Sequence, residues 1–328
     1  MRRSRLLVLS ATLVALVLPV AAAPALARDS ATAQRDRIVA YWTPARIANA
    51  KSRDFVKTAP GKFQPQKGKA PSGGGTTGSV IGASWTKGGQ VLKTTGKVVF
   101  HMNSGDYICT GTVVTDSASG RSIVVTAAHC AWDGTDGGFA TNWMFIPEFD
   151  SAPTYTCSAT KWGCWTASAL VVNKGFTTAG GFNDQAVQYD WSFAVITAPG
   201  TKNADLAATV GSFALSTTAP NVGDKVEAFG YPAAGRYHGS DLIYCADQLF
   251  TDAQVGNKTF GIDCNMTGGS SGGPWLFPFT ESTGVGTIRA VTSYGYSGVT
   301  RLFASKFNQN TANTFNAALT ATSNTQVN

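Results

Sequence analysis

The chain has 328 residues and a formal net charge of +7, but the charge is unevenly placed. Residues 1–70 carry 13 of the 26 Lys and Arg and 3 of the 19 Asp and Glu, a balance of +10, so the rest of the chain carries −3. A nucleic-acid footprint needs clustered Lys and Arg on the working part of a protein, and that larger part has none, which excludes nucleic acid as an expected partner.

The first element in chain order is a leader. Met1-Arg2-Arg3-Ser4-Arg5 is cationic, Leu6 to Val20 is mostly apolar, and Ala25-Leu26-Ala27 offers small residues at alternate positions. This is the pattern of a secretory signal peptide, residues 1–27, cut after Ala27. The run is interrupted by Pro19, which argues against a permanent anchor, and no other segment is long and apolar enough to cross a bilayer. A soluble, secreted product without a membrane partner is therefore expected.

Residues 28–80 read as a pro-segment and linker. Thr43-Pro44 is a helix-start signal, so a short helix is expected there. From Gly61 to Gly78 the chain turns rich in Gly, Pro, Lys and Ser, the composition of a solvated linker. Cleavage within or just after it would release the following part, as in a zymogen, although no particular bond is marked.

Residues 81–328 form the main domain. Short apolar runs broken by glycine and polar turns recur at Lys97–Met102, Ile108–Val114, Ser122–Ala128, Trp191–Thr197, Lys225–Gly230, Thr259–Cys264 and Thr287–Ser293, the pattern of an all-β barrel or sandwich. Near the end, Leu302, Phe303, Phe307, Phe315 and Leu319 have partly helical spacing and suggest a terminal helix packed on the second half. All six cysteines lie in this domain: Cys109, Cys130, Cys157, Cys164, Cys245 and Cys264. An even number in an exported chain indicates disulfides, though six cysteines allow 15 pairings. The paired C-x-x-C spacing of a zinc site is absent, and neither a metal nor another cofactor is expected.

Three segments carry the chemistry. Thr126-Ala127-Ala128-His129-Cys130 supplies an imidazole, Tyr189-Asp190-Trp191-Ser192-Phe193 a carboxylate at the head of an apolar run, and Gly268-Gly269-Ser270-Ser271-Gly272-Gly273-Pro274 a serine in a glycine-rich turn. A serine hydroxyl becomes a useful nucleophile when an imidazole takes its proton, and the imidazole needs a carboxylate to hold its tautomer. The glycines let the backbone turn so that the amides of Gly269 and Ser271 can converge on a developing oxyanion. The order excludes an α/β-hydrolase, which needs its histidine after the serine, because His101, His129 and His238 all precede Ser271. A subtilisin-like order of Asp190, His238 and Ser271 is formally possible, but His238 sits in a polar loop and the serine context does not suit it.

Together these motifs resemble the chymotrypsin-like serine peptidases, over roughly residues 91–319, with bacterial secreted and glutamyl-endopeptidase-like character. The resemblance implies two six-stranded antiparallel barrels, about 85–200 and 205–328, with Ala198–Ala208 as the crossing segment, and a catalytic triad of His129, Asp190 and Ser271. It also implies a Cys109–Cys130 bridge; sequential pairing then suggests Cys157–Cys164 and Cys245–Cys264. Asn265, with Met266 beside it, stands at the base of the specificity pocket, and Ser293-Tyr294-Gly295 is the segment on which an extended substrate pairs. Neither pocket residue is a carboxylate that would select Arg or Lys, and the histidine expected near Thr292 in a glutamyl endopeptidase is missing. Ser270 replaces the aspartate that in digestive members pairs with a new amino terminus. Other hydrogen bonds should therefore hold the oxyanion loop, and activity should not depend on one first residue between Gly73 and Ala83; Asp263 is the candidate substitute partner if it does. The expected activity is a monomeric serine endopeptidase acting on polypeptides. A serine esterase using the same residues, and a silent binding module on the same scaffold, are the alternatives.

Overall fold

The structure is a computed structural model, and it describes residues 23–58, 62–66, 78–103, 105–149 and 156–328, with side chains from residue 30 onward. The expected signal peptide lies outside the described residues up to residue 22, as does most of the Gly61–Gly78 linker. The helix Ala23–Tyr41 runs across the expected cleavage position, and Pro44–Asn49 is the short helix signalled by Thr43-Pro44, whose Thr43 hydroxyl caps the Arg46 amide.

Two sheets make up the main body. In pairing order the first runs Thr325–Val327, Ala169–Asn173, Ser192–Ile196, Ser122–Thr126, Gly105–Val114, Thr95–Met102, Thr141–Pro147 and Trp165–Thr166. The second runs Phe250–Thr251, Thr259–Asp263, Arg301–Lys306, Val285–Tyr296, Pro274–Thr280, Lys225–Gly230, Ile243–Gln248 and Val80–Ser84. Setting aside the two- and three-residue strands and the N-terminal strand Val80–Ser84, each half keeps six strands. Numbered in chain order within its half, the first sheet reads 5-6-3-2-1-4 and the second 3-6-5-4-1-2. Both are the single cyclic order 1-2-3-6-5-4 opened at a different seam. The expected six-stranded antiparallel arrangement is thus present once in each half, with the same cyclic topology.

Strand periodicity explains the core. Along Thr95–Met102, Val98 and Phe100 point into one cluster with Val113, Val124 and Phe145, while Val99 points into another with Ile108, Phe229 and Val291. The first cluster fills one barrel, Val226, Ile262, Trp275 and Ala290 fill the other, and the shared cluster joins the two halves. A crevice between halves that are glued by an apolar seam is where chemistry-bearing loops from both can meet.

One expectation about the C-terminus needs correction. The terminal helix is Gln309–Ala318, started by an Asn308 capping box, whereas Leu302 and Phe303 belong to the strand Arg301–Lys306. The helix also packs on the first half: Phe315 lies 5.3 Å from Phe193, and Asn173 Nδ2 donates to Thr314 Oγ1 at 3.4 Å. All three expected disulfides, Cys109–Cys130, Cys157–Cys164 and Cys245–Cys264, are formed.

Candidate active site

His129 sits in a single helical turn just after the strand Ser122–Thr126, and Asp190 lies two residues before the neighbouring strand Ser192–Ile196, whose Ser192 pairs with Thr126. That register alone brings the imidazole and the carboxylate together. His129 Nδ1 is 2.7 Å from Asp190 Oδ2, and the His129 amide donates to Asp190 Oδ1 at 2.9 Å. Asp190 is fully buried and His129 is 1% exposed, so a carboxylate with no water must be satisfied by protein donors. The third donor is Ser293, whose hydroxyl reaches Asp190 Oδ2 at 2.5 Å. Ser293 thus supports the carboxylate from below. His129 Nε2, on the far side of the ring, is buried and has no hydrogen-bond partner among the described residues.

Ser271 comes from the second half. Its loop must bend sharply, with φ of +104° at Gly269 and +79° at Gly272. At Gly272 a side chain would also collide with Thr126 Oγ1 and the Thr110 carbonyl, so only glycine fits where the two halves meet. Thr110 holds the turn: its amide donates to the Ser271 carbonyl at 2.8 Å, its hydroxyl donates to the Gly269 carbonyl at 2.8 Å, and that hydroxyl accepts the Tyr231 amide at 2.9 Å. The Gly272 amide donates to the Thr292 carbonyl at 2.8 Å. Ser270, which lacks the charge of an aspartate, donates its hydroxyl to the Thr267 carbonyl at 2.8 Å and is 1% exposed. These bonds are the other fastenings that the Ser270 departure called for.

What lies over Ser271 was not foreseen. The Ser271 hydroxyl donates to Asp54 Oδ1 at 2.6 Å, and the Gly269 amide donates to Asp54 Oδ2 at 2.6 Å. The Ser271 amide also acts on the same carboxylate, as one of the groups that favour its charged form. Burial pushes the Asp54 carboxyl above the usual carboxylate range, while the Ser271 hydroxyl, the neighbouring His129 and the two amides pull it back down. Nothing in the sequence flagged Asp54. The only signal was a brief strand-like run, Phe55-Val56-Lys57-Thr58, between a helix and a Gly/Pro-rich stretch.

The remaining site residues fall into two groups. Asn265, Met266, Tyr294 and Gly295 line a cavity beside Ser270 and Thr292 that is roofed by Asp54, Phe55 and Val56, with Arg301 at its edge. The Asn265 carbonyl is taken by Tyr237 OH at 2.6 Å and by Arg236 Nη2 at 3.2 Å. Asp263 accepts from Arg301 Nε at 3.3 Å, and His238 is exposed on another loop. Among the described residues the one grouping with metal-ligand chemistry is Cys109, His129 and Cys130, and two of the three are spent in a disulfide.

Comparison with known proteins adds to this geometry. No protein-family model and no curated protein matches the chain. Solved structures do. The protease Anisep from Arthrobacter nicotinovorans is 33% identical, with a TM-score of 0.61, over 74% of this chain and 100% of that one. The thermostable serine protease AL20 from an extremophilic microorganism is 32% identical, with a TM-score of 0.60, over 71% of this chain and 99% of that one. A Glu endopeptidase matches at 18% identity with a TM-score of 0.54 over 75% of this chain, a likeness of fold.

Proposed function

Since the chain belongs to the chymotrypsin-like serine peptidases and is a serine endopeptidase by that membership, we propose that it is a secreted zymogen whose nucleophile is Ser271, general base His129 and orienting carboxylate Asp190. The observation that carries the assignment is the pairing of His129 Nδ1 with buried Asp190 while Nε2 has no partner among the described residues, with both His129 and Ser271 acting on the same Asp54 carboxylate. A carboxylate on Nδ1 fixes the proton there, leaving Nε2 as the acceptor for the Ser271 proton.

In the reaction the Ser271 oxygen attacks the substrate carbonyl carbon as His129 Nε2 takes the hydroxyl proton, and Asp190 steadies the imidazolium so formed. The negative charge on the carbonyl oxygen is met by the amides of Gly269 and Ser271, and the Gly269 amide already donates to an anion, the Asp54 carboxylate. His129 then passes its proton to the leaving amine, giving an acyl-enzyme, and water repeats the sequence to release the acid. Asn265, Met266, Tyr294 and Gly295 are the substrate-contacting residues; Ser293 acts through Asp190. Residues 28–80 are the pro-segment and 81–328 the peptidase domain. Export is supported by three disulfides and by the leader composition, and among the described residues no helix is long and apolar enough to cross a membrane.

The test is hydrolysis by the processed protein and its Ser271→Ala variant. Casein fragments should appear with the former and be reduced at least about a thousandfold with the latter. Cleavage of a small ester together with intact casein would favour the esterase reading, and loss of neither activity in Ser271→Ala would remove the nucleophile assignment.

A further inference from the structure

The segment before residue 67 is held to the main body along one continuous path. Lys51 and Ser52 pair with Tyr107 and Ile108 of the first half, and Phe55, Val56 and Lys57 pair in parallel with Tyr294, Gly295 and Tyr296 of the second. The strand Lys62–Pro65 folds back on Phe55–Thr58 as a hairpin, and the Gln66 amide donates to the Asp54 carbonyl at 2.8 Å. Asp54 therefore sits at the point where the segment crosses from one barrel to the other, directly above Ser271.

Charge fastens both flanks. Arg53 pairs with Asp133 at 3.2 Å and donates through Nε to the His129 carbonyl at 3.0 Å, while the buried Lys57 ammonium pairs with Asp184 at 2.7 Å. Farther back, Arg46 pairs with Asp106 at 2.7 Å. In all three pairs the cation is in the segment and the anion in the main domain, which gives the +10 and −3 division of the sequence a structural use.

What this ligand presents to the nucleophile differs from a substrate. Ser271 faces a side-chain carboxylate, and a carboxylate anion is a very poor acyl donor. Its two oxygens meet the donors that would otherwise stabilise an oxyanion, and the Ser271 hydroxyl is drawn to Asp54 in place of His129 Nε2.

Resting on the assignment of Ser271 as nucleophile, we propose that residues 51–58, backed by residues 62–66, are an intramolecular inhibitor of the active site, with Asp54 as the residue that occupies the oxyanion position and disarms Ser271. Latency then depends on a carboxylate at residue 54 and not merely on a covering strand. Release requires the loss of Asp54 from the Gly269 amide and the Ser271 hydroxyl; cleavage of the linker by itself leaves the inhibitor in place until the strand dissociates.

The experiment compares the rate of fluorophosphonate labelling of the intact full-length chain, resolved by mass from processed chain in the same sample, for the natural sequence, Asp54→Ala and the near-isosteric Asp54→Asn. The intact natural chain should label slowly, and its processed form, separated from the released inhibitory segment, fast. Both variants should label in the intact form at least about tenfold faster than the natural intact chain, as loss of charge-assisted bonds allows. Equal slow labelling of all three intact chains, with fast labelling of their processed forms, would overturn the role of Asp54 while leaving Ser271 as nucleophile. Failure of the processed natural chain to label at all would instead overturn the underlying assignment.

Discussion

The Phe55 ring stacks on Phe182 at 4.0 Å with the planes 11° apart, and both rings meet His129 edge-on, at 5.4 and 5.3 Å. When the segment carrying Phe55 leaves, Phe182 and the face of His129 are uncovered together as an apolar shelf. An incoming apolar side chain can replace Phe55 there. Phe182→Ala should raise KM by about 3- to 10-fold for peptides with an aromatic residue at that subsite and leave kcat nearly unchanged, as expected when a contact binds ground and transition states alike. A library of peptides varied at each position, read by mass spectrometry, checks it; unchanged preference after the substitution would show that Phe182 does not form the shelf.

Thr110 connects the two catalytic halves through its hydroxyl, which donates to the Gly269 carbonyl and accepts the Tyr231 amide. Its neighbour Cys109 is tied to Cys130, next to His129. Thr110→Val keeps the shape and removes both bonds, freeing the Gly269–Ser270 peptide to turn and loosening the neighbouring Gly269 amide that faces the oxyanion position. Turnover of a small ester should fall by roughly 10- to 100-fold with little change in KM. An unaltered kcat would mean the loop keeps its form without Thr110.

Lys97 is 5% exposed on the strand Thr95–Met102, with its ammonium 3.9 Å from the centre of the Phe149 ring and no carboxylate paired with it among the described residues. Burial pushes the ammonium down to about 7. The unfolded chain holds that proton to about 10.4, so between these values the unfolded state binds more protons and stability rises with pH. Lys97→Met in a Ser271→Ala background should stabilise the fold at neutral pH by about 1–3 kcal/mol, after allowing for the lost ring contact, and the gain should shrink toward pH ~10. Urea unfolding at neutral and alkaline pH measures it, and a gain independent of pH would be contrary to this origin.

The strand Val80–Ser84 pairs antiparallel with Ile243–Gln248, and Ser79 Oγ bonds Asp247 at 2.5 Å. Chains starting anywhere from Gly73 to Ser79 should therefore turn over a small ester alike, because Ser270 offers no carboxylate to an N-terminal ammonium. Starting beyond Ser84 removes the strand and should lower Tm. A sharp requirement for one first residue would point to a buried acidic partner, and Asp263 is already engaged by Arg301.

Much of the site was legible because its residues carry local signatures. His129 is flanked by Ala127, Ala128 and Cys130, Ser271 by glycines whose φ values the turn demands, and Asp190 by the apolar strand that sets its register. Ser293 was placed on the right strand, but its hydroxyl faces Asp190, a direction that a motif does not reveal. Asp54 was invisible for a different reason: its significance arises from pairing across more than two hundred residues, and the surrounding sequence reads only as part of a pro-segment. At the C-terminus, the spacing of Leu302 and Phe303 suits a strand buried on both faces as well as a helix, and periodicity names an apolar face without naming its partner. Hence the helix was expected on the wrong barrel.

The most direct measurement of the central assignment is the location of a serine-directed organophosphorus label by peptide sequencing of the processed protein, made in parallel on His129→Ala. One adduct, on the peptide's Ser271, is expected, with labelling slowed by at least about a hundredfold when His129 is lost. An adduct on Ser270, or equally fast labelling without His129, would contradict the assignment of Ser271 as the nucleophile and His129 as its base.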